Sequence, residues 1–412
     1  MLQRLLRPWF LLLIAACLLF GCSACGQQTS TTRFTAADVS TSQVQAHNAF
    51  ALRLAEKLVA ADGQNHLISP LSISLALSMA ASGASGATQA EMLRTLAASG
   101  LSAEDMDRGS EVLMELLEAS DSDTTVQIAN SLWADEGTPL REPYVSRMQQ
   151  YYAAPVKQLE FGDEQEAVDT MNRWVSKQTG GKIPTIIEQL SDESTAVLIN
   201  AISFQGKWSE PFEKSQTREV PVYLSKDRSV AVPMMKQTET FPYKQESSFQ
   251  AIELPYGNGN WHMTIVLPAA GKDLAALLPE LLADPSLWQD GLSDAFGTVE
   301  LPRFTAQSSF KLKETLKQLG MVHPFDRSQA DFSGMAEDGA SYFIQEVLHK
   351  TFIQVDEQGT EAAAATAIMT DTGSAPAEPF AMKIDRPFFY AIEEATTGTL
   401  VFLGTMADPS AP

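Results

Sequence analysis

The side chains that most often supply nucleophiles or metal ligands are scarce in this 412-residue chain. All three cysteines, Cys17, Cys22 and Cys25, fall within the first 25 residues, so the rest of the chain offers no thiol nucleophile, disulfide or cysteine metal ligand. The five histidines show no spacing typical of a metal site, and neither an HExxH, a GxSxG nor a P-loop motif is present. We therefore expect a protein that is not an enzyme and that needs no metal or cofactor.

Residues 357–379, EQGTEAAAATAIMTDTGSAPAEP, have a pattern that suits insertion into a β-sheet. Counting by twos from Thr360 to Thr372, every residue is uncharged and is either small or β-branched, whereas Glu361 and Asp371 fall on the intervening positions. Side chains alternate faces along a strand, so this segment can enter a sheet with both carboxylates in water. Burying one unpaired carboxylate costs several kcal/mol, against about 1 kcal/mol net for each added hydrogen bond. The pattern therefore favours an inserting segment over a flexible linker.

The elements that must position this segment follow a simple order along the chain. Helical periodicity appears at 49–58, 73–79, 92–96 and 104–119, and the Ser69-Pro70 pair is typical of a helix start. Strand-like runs come later, at 195–204, 249–254, 262–267, 298–304, 350–356 and 399–404. Because helices come mainly first and strands mainly later, without βαβ alternation, we predict an α+β domain with mixed sheets.

Charge and composition exclude some partners. Acidic residues number 51 against 29 basic ones, for a net charge of −22, which argues against nucleic acid or an anionic membrane surface. Hydrophobic residues make up 44% of the chain, enough for a large core. A polar stretch rich in Gln, Ser and Thr precedes the first helical pattern, and no second linker follows it. We therefore expect a flexible tether at 22–45 and a single domain at 46–412.

The first 21 residues have the pattern of a signal peptide. Arg4 and Arg7 precede an apolar run at 9–20, which is shorter than the roughly 20 residues that a membrane-spanning helix needs. The run ends in Leu-Phe-Gly-Cys22, which resembles a bacterial lipobox and implies lipidation of Cys22. Cys17 is the alternative lipidation site, and plain secretion is the alternative fate. We expect an exported protein that is anchored to the membrane only through its lipid.

Six segments, in this order, resemble the serpin family of serine protease inhibitors. They are HLISPLSISLALSMAASGASGAT from His66, VLINAISFQGKWSEPF from Val197, LPRF from Leu301, DFSGM from Asp331, VLHKTFIQVDEQGTEAAAAT from Val347 and DRPFFYAI from Asp385. The resemblance covers most of the chain from about residue 47 to residue 405. It implies the serpin fold, with three β-sheets, eight or nine helices and an exposed reactive-centre loop, here residues 357–379, in a chain that acts as a monomer.

The resemblance also implies a mechanism. In serpins a protease attacks the loop as a substrate and forms an acyl-enzyme, and the freed loop then inserts into the central sheet and traps the protease. Small residues at the hinge of the loop allow fast insertion, and a glycine there permits the backbone to bend. The matching hinge residues are Glu357, Gly359, Thr360, Glu361, Ala362, Ala363, Ala364, Ala365 and Thr366. Their pattern resembles that of inhibitory members.

Family spacing implies that the reactive bond joins Gly373 and Ser374. A glycine in the primary pocket of the protease favours elastase-like or subtilisin-like targets over trypsin-like ones. A cysteine protease also forms an acyl-enzyme and is a further candidate target. The bonds Met369–Thr370 and Thr370–Asp371 remain alternative reactive bonds.

Five further residues match serpin positions near the opening of the central sheet. Ser69, Ser72, Asn200 and His349 match a hydrogen-bonded cluster beneath the opening, which implies a polar latch and not a catalytic base. Trp208 matches a tryptophan at the top of that sheet, where the loop first enters, although core packing accounts for it equally well.

Three classes of function follow from these patterns. An inhibitory serpin is the one we expect. A non-inhibitory serpin, acting as a binding module or as a plain protease substrate, would carry a proline in the hinge or a charge on its inward face. Residues 359–370 contain no proline, and their one charge, Glu361, lies on the outward face. A hydrolase is the third class, but the sequence contains no nucleophile–base motif that would support it.

Overall fold

Nine α-helices lie within the residues that the computed structural model describes, which are 33–412 without 120–122, 138–139, 191–193, 337–341 and 361–378. They are α1 (Thr41–Leu58), α2 (Pro70–Gly83), α3 (Gly86–Thr95), α4 (Ala103–Ala119), α5 (Glu142–Tyr152), α6 (Glu164–Gln178), α7 (Leu274–Ala283), α8 (Ser286–Gln289) and α9 (Lys313–Gln318). The four helical patterns of the sequence correspond to α1–α4. None of the helices in the described ranges is both long and apolar enough to cross a membrane.

Fifteen strands occupy the same described residues. They are β1 (His66–Ile68), β2 (Thr124–Asp135), β3 (Val156–Leu159), β4 (Ala196–Lys207), β5 (Arg218–Tyr223), β6 (Ser229–Gln245), β7 (Phe249–Tyr256), β8 (Trp261–Pro268), β9 (Ser293–Pro302), β10 (Phe304–Lys311), β11 (Glu346–Asp356), β12 (Gly359–Thr360), β13 (Phe380–Lys383), β14 (Phe388–Glu394) and β15 (Thr399–Met406). The predicted run at 298–304 is divided at Arg303 between β9 and β10.

The strands form two hydrogen-bonded sheets in the described part of the chain. One has nine strands in the order β1-β15-β14-β8-β7-β6-β9-β13, with β5 paired to β6. The other has six, in the order β10-β11-β12-β4-β2-β3. Two of the three sheets expected from the resemblance are joined in the nine-stranded sheet. The reason is the 17-residue strand β6, which pairs with β5 at its start, with β9 along its middle and with β7 at its end.

Helix α2 lies at the centre of the core and begins where the sequence predicts. The Oγ of Ser69 accepts a hydrogen bond from the backbone N–H of Ser72 as an N-cap, and Pro70 occupies the first turn, where its missing N–H is not needed. Almost every residue of α2 is buried, because the helix packs against α1, β15 and the six-stranded sheet. The helix thereby holds its polar first turn against the inner face of that sheet.

Helix α1 crosses the predicted boundary between the tether and the domain. The boundary was placed at residue 45, but α1 begins at Thr41, and Gln43 and Val44 are already buried. The Nε2 of Gln43 donates to the carbonyl of Met106, which ties this turn to α4. The polar composition that suggested a tether therefore extends into a helix whose apolar face packs on the domain.

Candidate functional site

The six-stranded sheet is divided by a seam, which we define as the pairing of β4 with β11. Residues Glu346–Phe352 of β11 pair in parallel with Val197–Ser203 of β4. Above this pairing the two strands separate, and the two-residue strand β12 lies between them. Gly359 and Thr360 of β12 pair antiparallel with Lys207 and Gly206 of β4, and antiparallel with the end of β11. Gly359 and Thr360, which belong to the predicted hinge, therefore lie within the sheet, at the head of the seam.

Gly359 is required by the close approach of β12 to β4. Its φ of 140° lies in the region that disfavours residues with a side chain. A Cβ at this position would overlap the carbonyl oxygen of Gly206 and would lie 2.6 Å from the Cα of Lys207. The sequence predicted a bend at Gly359, and the structure adds a second constraint, the lack of space.

Thr360 is fully buried and faces the core side of the sheet. Its Oγ1 lies 2.9 Å from the Oη of Tyr256, whose ring stacks on Trp208 with a centroid distance of 4.3 Å. Trp208 also holds the chain at the start of the predicted hinge, because its backbone N–H donates to the carbonyl of Gln358 and its Nε1 donates to the carbonyl of Asp356. Trp208 therefore contacts the chain at Asp356 and Gln358, and Tyr256 is a partner that the sequence analysis missed.

The carboxylate of Glu357 anchors the other side of the hinge. Its side chain is 1% exposed, and it accepts bidentate hydrogen bonds from the guanidinium of Arg303 and one from the Oγ1 of Thr217 at 2.6 Å. Burial opposes ionisation of this carboxyl, but the bonds from Arg303 and Thr217 outweigh burial and hold its pKa below the usual value. Arg303 lies in the LPRF segment of the sequence. Its ion pair with Glu357 could not be predicted without knowing that β10 pairs with β11.

A polar row crosses the sheet lower down, and we define it as Asn130, Asn200 and His349. The three residues are register partners on β2, β4 and β11. The Nδ2 of Asn200 donates to the Oγ of Ser72 and to the Oδ1 of Asn130, and Asn130 donates to the carbonyl of Ser72. Within the row, the hydrogen bond between His349 and Asn200 is the one that crosses the seam.

The hydrogen bonds of His349 define its tautomer. Its Nε2 accepts from the backbone N–H of Ser69 at 3.1 Å, so the proton resides on Nδ1, which donates to the Oδ1 of Asn200. Complete burial lowers the pKa of His349 to about 3, which keeps the ring neutral at physiological pH. The histidine is therefore a fixed hydrogen-bonding group and not a proton carrier.

The structure brings together the four residues predicted for the hydrogen-bonded cluster, Ser69, Ser72, Asn200 and His349. Ser69 contributes its backbone N–H, while its Oγ caps α2. Asn130 belongs to the row but was missed, because strand β2 was not recognised in the polar sequence TTVQIANSLW. Trp208 belongs to the hinge and not to the row. An asparagine inside an otherwise alternating apolar run was the available signal for Asn130.

The remaining predicted sites lie outside the described residues. These are Cys22, the hinge residues Glu361, Ala362, Ala363, Ala364, Ala365 and Thr366, the reactive bond Gly373–Ser374 and the alternative bond residues Met369, Thr370 and Asp371. Within the described residues, no group of three histidine, cysteine or carboxylate side chains is arranged to hold a metal ion. The site therefore consists of a seam that is crossed by polar contacts and of the short strand β12, which lies at the head of the seam.

Comparison with known proteins gives a consistent result. Residues 45–409 match the model of the family described as Serpin (serine protease inhibitor). The chain is 37% identical to an uncharacterised serpin-like protein of Thermococcus kodakarensis, with 89% of this chain and 85% of that protein covered. It is 34% identical to a leukocyte elastase inhibitor of Bos taurus, with 84% and 93% covered.

Solved structures give the same fold. The thermophilic serpin tengpin in its native state superposes with a TM-score of 0.80 at 29% identity, covering 89% of this chain and 94% of that one. Human thyroxine-binding globulin in complex with its ligand superposes with a TM-score of 0.79 at 27% identity, covering 90% and 98%. The names of these relatives thus include both a protease inhibitor and a protein that binds a small molecule.

Proposed function

The chain belongs to the serpin family, and from that premise we propose that it inhibits proteases as a suicide substrate. A target serine protease attacks the reactive-centre loop and forms an acyl-enzyme. The freed loop then enters the seam before water hydrolyses the ester. Insertion and deacylation compete, and each 1.4 kcal/mol in either barrier changes the partition between trapping and turnover by about tenfold.

The observation that carries this proposal is the position of β12. The strands β4 and β11 are parallel to each other, and β12 is antiparallel to both. A strand that continued downward from Thr360 would be antiparallel to each neighbour, so it could form regular ladders on both edges. Insertion would then exchange one parallel pairing for two antiparallel ones.

The face of Thr360 sets the faces of the residues that follow. Because Thr360 points to the core, an inserted strand would point every second residue the same way, as the sequence pattern requires. On the opposite face, the small side chains of Ala363, Ala365 and Ala367 would lie towards α6. Glu361 and Asp371, on the same face, would lie on either side of these three alanines along the inserted strand. The charges of the loop thus avoid both layers of the core.

The register also suggests how the polar row survives insertion. Thr360 pairs with Gly206 of β4 and with Val355 of β11. If the inserted strand continued this register without a bulge, Thr366 would lie between Asn200 and His349. A strand that enters the seam must separate these two side chains, and an unpaired buried polar group costs about 1–3 kcal/mol. The hydroxyl of Thr366 can both donate and accept, so it could bridge the two residues and replace the bond that insertion breaks.

The proposal is tested by mixing the purified protein with pancreatic elastase, subtilisin and trypsin, followed by denaturing gels and mass spectrometry. We expect a covalent band at the summed mass with elastase or subtilisin, together with a released peptide that starts at Ser374. A peptide that starts at Thr370 or Asp371 would assign one of the alternative bonds. Trypsin is the matched control, because residues 361–378 contain no lysine or arginine. Cleavage of the loop with full recovery of protease activity would instead support a non-inhibitory serpin.

We further propose that the protein is exported by a bacterium and anchored through a lipid on Cys22. The support is the apolar run at 9–20, the lipobox-like end of that run and the polar stretch that follows. Expression in a bacterial host with an alkyne-labelled fatty acid tests this proposal. Cys22→Ala should remove the label, whereas Cys25→Ala, the matched control, should retain it. Loss of the label with Cys17→Ala alone would move the site to Cys17.

A further inference from the structure

A groove of about 570 Å³ lies beside the seam, on the face of the six-stranded sheet that also carries α6. Strands β10 and β11 form its floor, and residues 185–190, the segment after α6, form one wall. The wall is tied to α6, because the side chain of Asn172 accepts from the backbone N–H groups of Ile186 and Ile187 and donates to the carbonyl of Ile187. A volume of this size is typical of a small-molecule site.

Three lysines line the groove on the side of the floor: Lys311, Lys313 and Lys350. Lys311 pairs with Leu348 across β10 and β11, so Lys350, two residues further along β11, is its diagonal neighbour. Diagonal neighbours on one face lie about 7–8 Å apart, a separation that one bound oxyanion can bridge. Ser309, directly opposite Lys350, adds a hydroxyl group on the same floor.

Among the described residues, the two carboxylates that line the groove, Glu188 and Glu346, form no ion pair with the three lysines. Within the described ranges, neither Lys311 nor Lys313 forms an ion pair. One oxygen of Glu346 is engaged by the backbone N–H groups of Lys313 and Val347. Glu188 on the wall is exposed, and its charge favours the protonated form of Lys350 without forming a hydrogen bond to it. Such a cationic cluster contrasts with the strongly acidic chain around it.

Lys350 is fixed in place. Its Nζ donates to the carbonyl of Thr185 at 2.5 Å, which leaves two N–H donors for a ligand. Burial lowers the pKa of this lysine from its usual value, so its charge lacks full solvation. A ligand with negative charge would restore that solvation at little further cost in side-chain entropy.

We propose that this groove binds a compact oxyanion with two or more negative charges, held by Lys311, Lys313 and Lys350. Phosphate esters, pyrophosphate and sulfate esters share this chemistry. The site stands on strands β10 and β11 and on the first residue of α9, and it does not depend on the proposed inhibitory function.

Isothermal titration calorimetry of the purified protein with inorganic pyrophosphate, at constant ionic strength, tests the site. We expect a dissociation constant below about 1 mM, and a thermal unfolding midpoint that rises with pyrophosphate concentration. The double variant Lys311→Gln/Lys313→Gln should weaken binding at least about tenfold. The matched control, Lys226→Gln/Lys272→Gln, removes two exposed lysines outside the groove and should change binding by less than about twofold.

Glu188→Gln should tighten binding about two- to threefold, because it removes the carboxylate of the wall. A parallel titration with sulfate decides whether the site prefers phosphate or sulfate chemistry. Absence of binding by both anions would overturn the proposal. Equal weakening by both double variants would also overturn it, because the effect would then be one of net charge. The unfolding midpoints of the variants without ligand verify that each one folds.

Discussion

The pairing of β14 with β15 and the pairing of β4 with β11 differ in the kind of contact that their side chains make. In the pairing of β14 with β15, every residue of β15 is buried, and Phe389, Val401 and Phe402 are among the fully buried side chains. The seam between β4 and β11 is parallel and seven residues long, and Asn200 and His349 meet across it. The first pairing is held by apolar burial on both faces, and the second contains directional hydrogen bonds that a new strand can exchange.

The proposed mechanism needs a fold that is stable and can still admit a new strand, and this difference supplies a physical basis for both properties. Burying a large apolar side chain contributes about 1.5–3 kcal/mol, and nothing in an entering strand could replace such contacts one for one. A hydrogen bond contributes about 1 kcal/mol net, and an entering strand brings its own donors and acceptors. We therefore expect changes in the β14–β15 pairing to alter stability, and changes at the hinge and seam to alter trapping.

The largest effect should come from Thr360→Arg. Thr360 is fully buried against Tyr256 in the uncleaved chain, so we expect the variant to keep β12 outside the sheet and the guanidinium in water. Insertion would then have to bury the guanidinium at a cost of several kcal/mol, and the fraction of protease trapped should fall at least about a hundredfold. Gel quantification of the covalent complex measures this fraction. The matched control is Glu361→Arg, one residue further on the outward face, which should trap nearly as well as the wild type. Equal losses in the two variants would contradict the assigned faces.

The pairing of β14 with β15 should respond in the opposite way. Phe402→Ala removes a fully buried ring that packs against Phe204 at a centroid distance of 6.1 Å, and we expect a loss of about 3–5 kcal/mol in the free energy of unfolding. Urea unfolding measures this loss, and the fraction of protease trapped should change by less than about twofold. Phe352→Ala, at a half-buried residue of the seam, is the control and should cost less than half as much. A large loss of trapping in Phe402→Ala would remove the distinction between the two regions.

Acid should weaken both regions, because a buried neutral histidine hydrogen-bonds within the seam and another hydrogen-bonds β15 from helix α1. Burial lowers the pKa of His349 to about 3 and that of His47, which hydrogen-bonds the carbonyl of Leu400 in β15, to about 4. The unfolded chain takes up these protons near pH 6.5. Each histidine therefore favours the folded state fully above that pH, and this stability is lost as the pH falls from about 6.5 towards the folded pKa.

At pH 5 the loss is about 2 kcal/mol for each histidine. Urea unfolding at pH 7.5 and pH 5 measures the change for the wild type, His47→Gln and His349→Gln. Each variant should lose less stability between the two pH values than the wild type, by about that amount. A pH dependence that is unaltered in His349→Gln would show that this residue is already protonated at pH 5 or does not titrate differently in the unfolded chain.

The smallest effect should come from Thr366→Val, which keeps the shape of the residue that the register places between Asn200 and His349. Loss of the hydroxyl would leave the Nδ1–H of His349 and the Oδ1 of Asn200 without a partner in the inserted state, so the trapped fraction should fall by about tenfold. Thr370→Val, also on the inward face but away from the polar row, is the matched control and should change little. Similar values for the two variants would indicate a different register of insertion.

Much of the fold could be predicted from local patterns. Pro70 after Ser69 marked the start of α2, and the alternating apolar runs located β4, β7, β8, β11 and β15. Strand β6 was missed because Pro233, Pro242 and the polar sequence KQTET interrupt its alternation, and pairing with neighbours on both sides compensates for them. At the site, Glu357, Gly359 and Thr360 were identified from sequence, whereas Arg303, Tyr256 and Asn130 were not.

By itself, the sequence determined the faces of the elements. Periodicity decides which side of a helix or strand is apolar, and the spacing from Thr360 onward decides that the charges of the loop lie on one face. Only the tertiary structure decided which faces meet. Asn130, Asn200 and His349 are far apart in the chain and become neighbours through the order β2-β4-β11, just as Glu357 meets Arg303 through the pairing of β10 with β11. Strand order and register depend on packing across the whole core, and a local pattern contains no information about them.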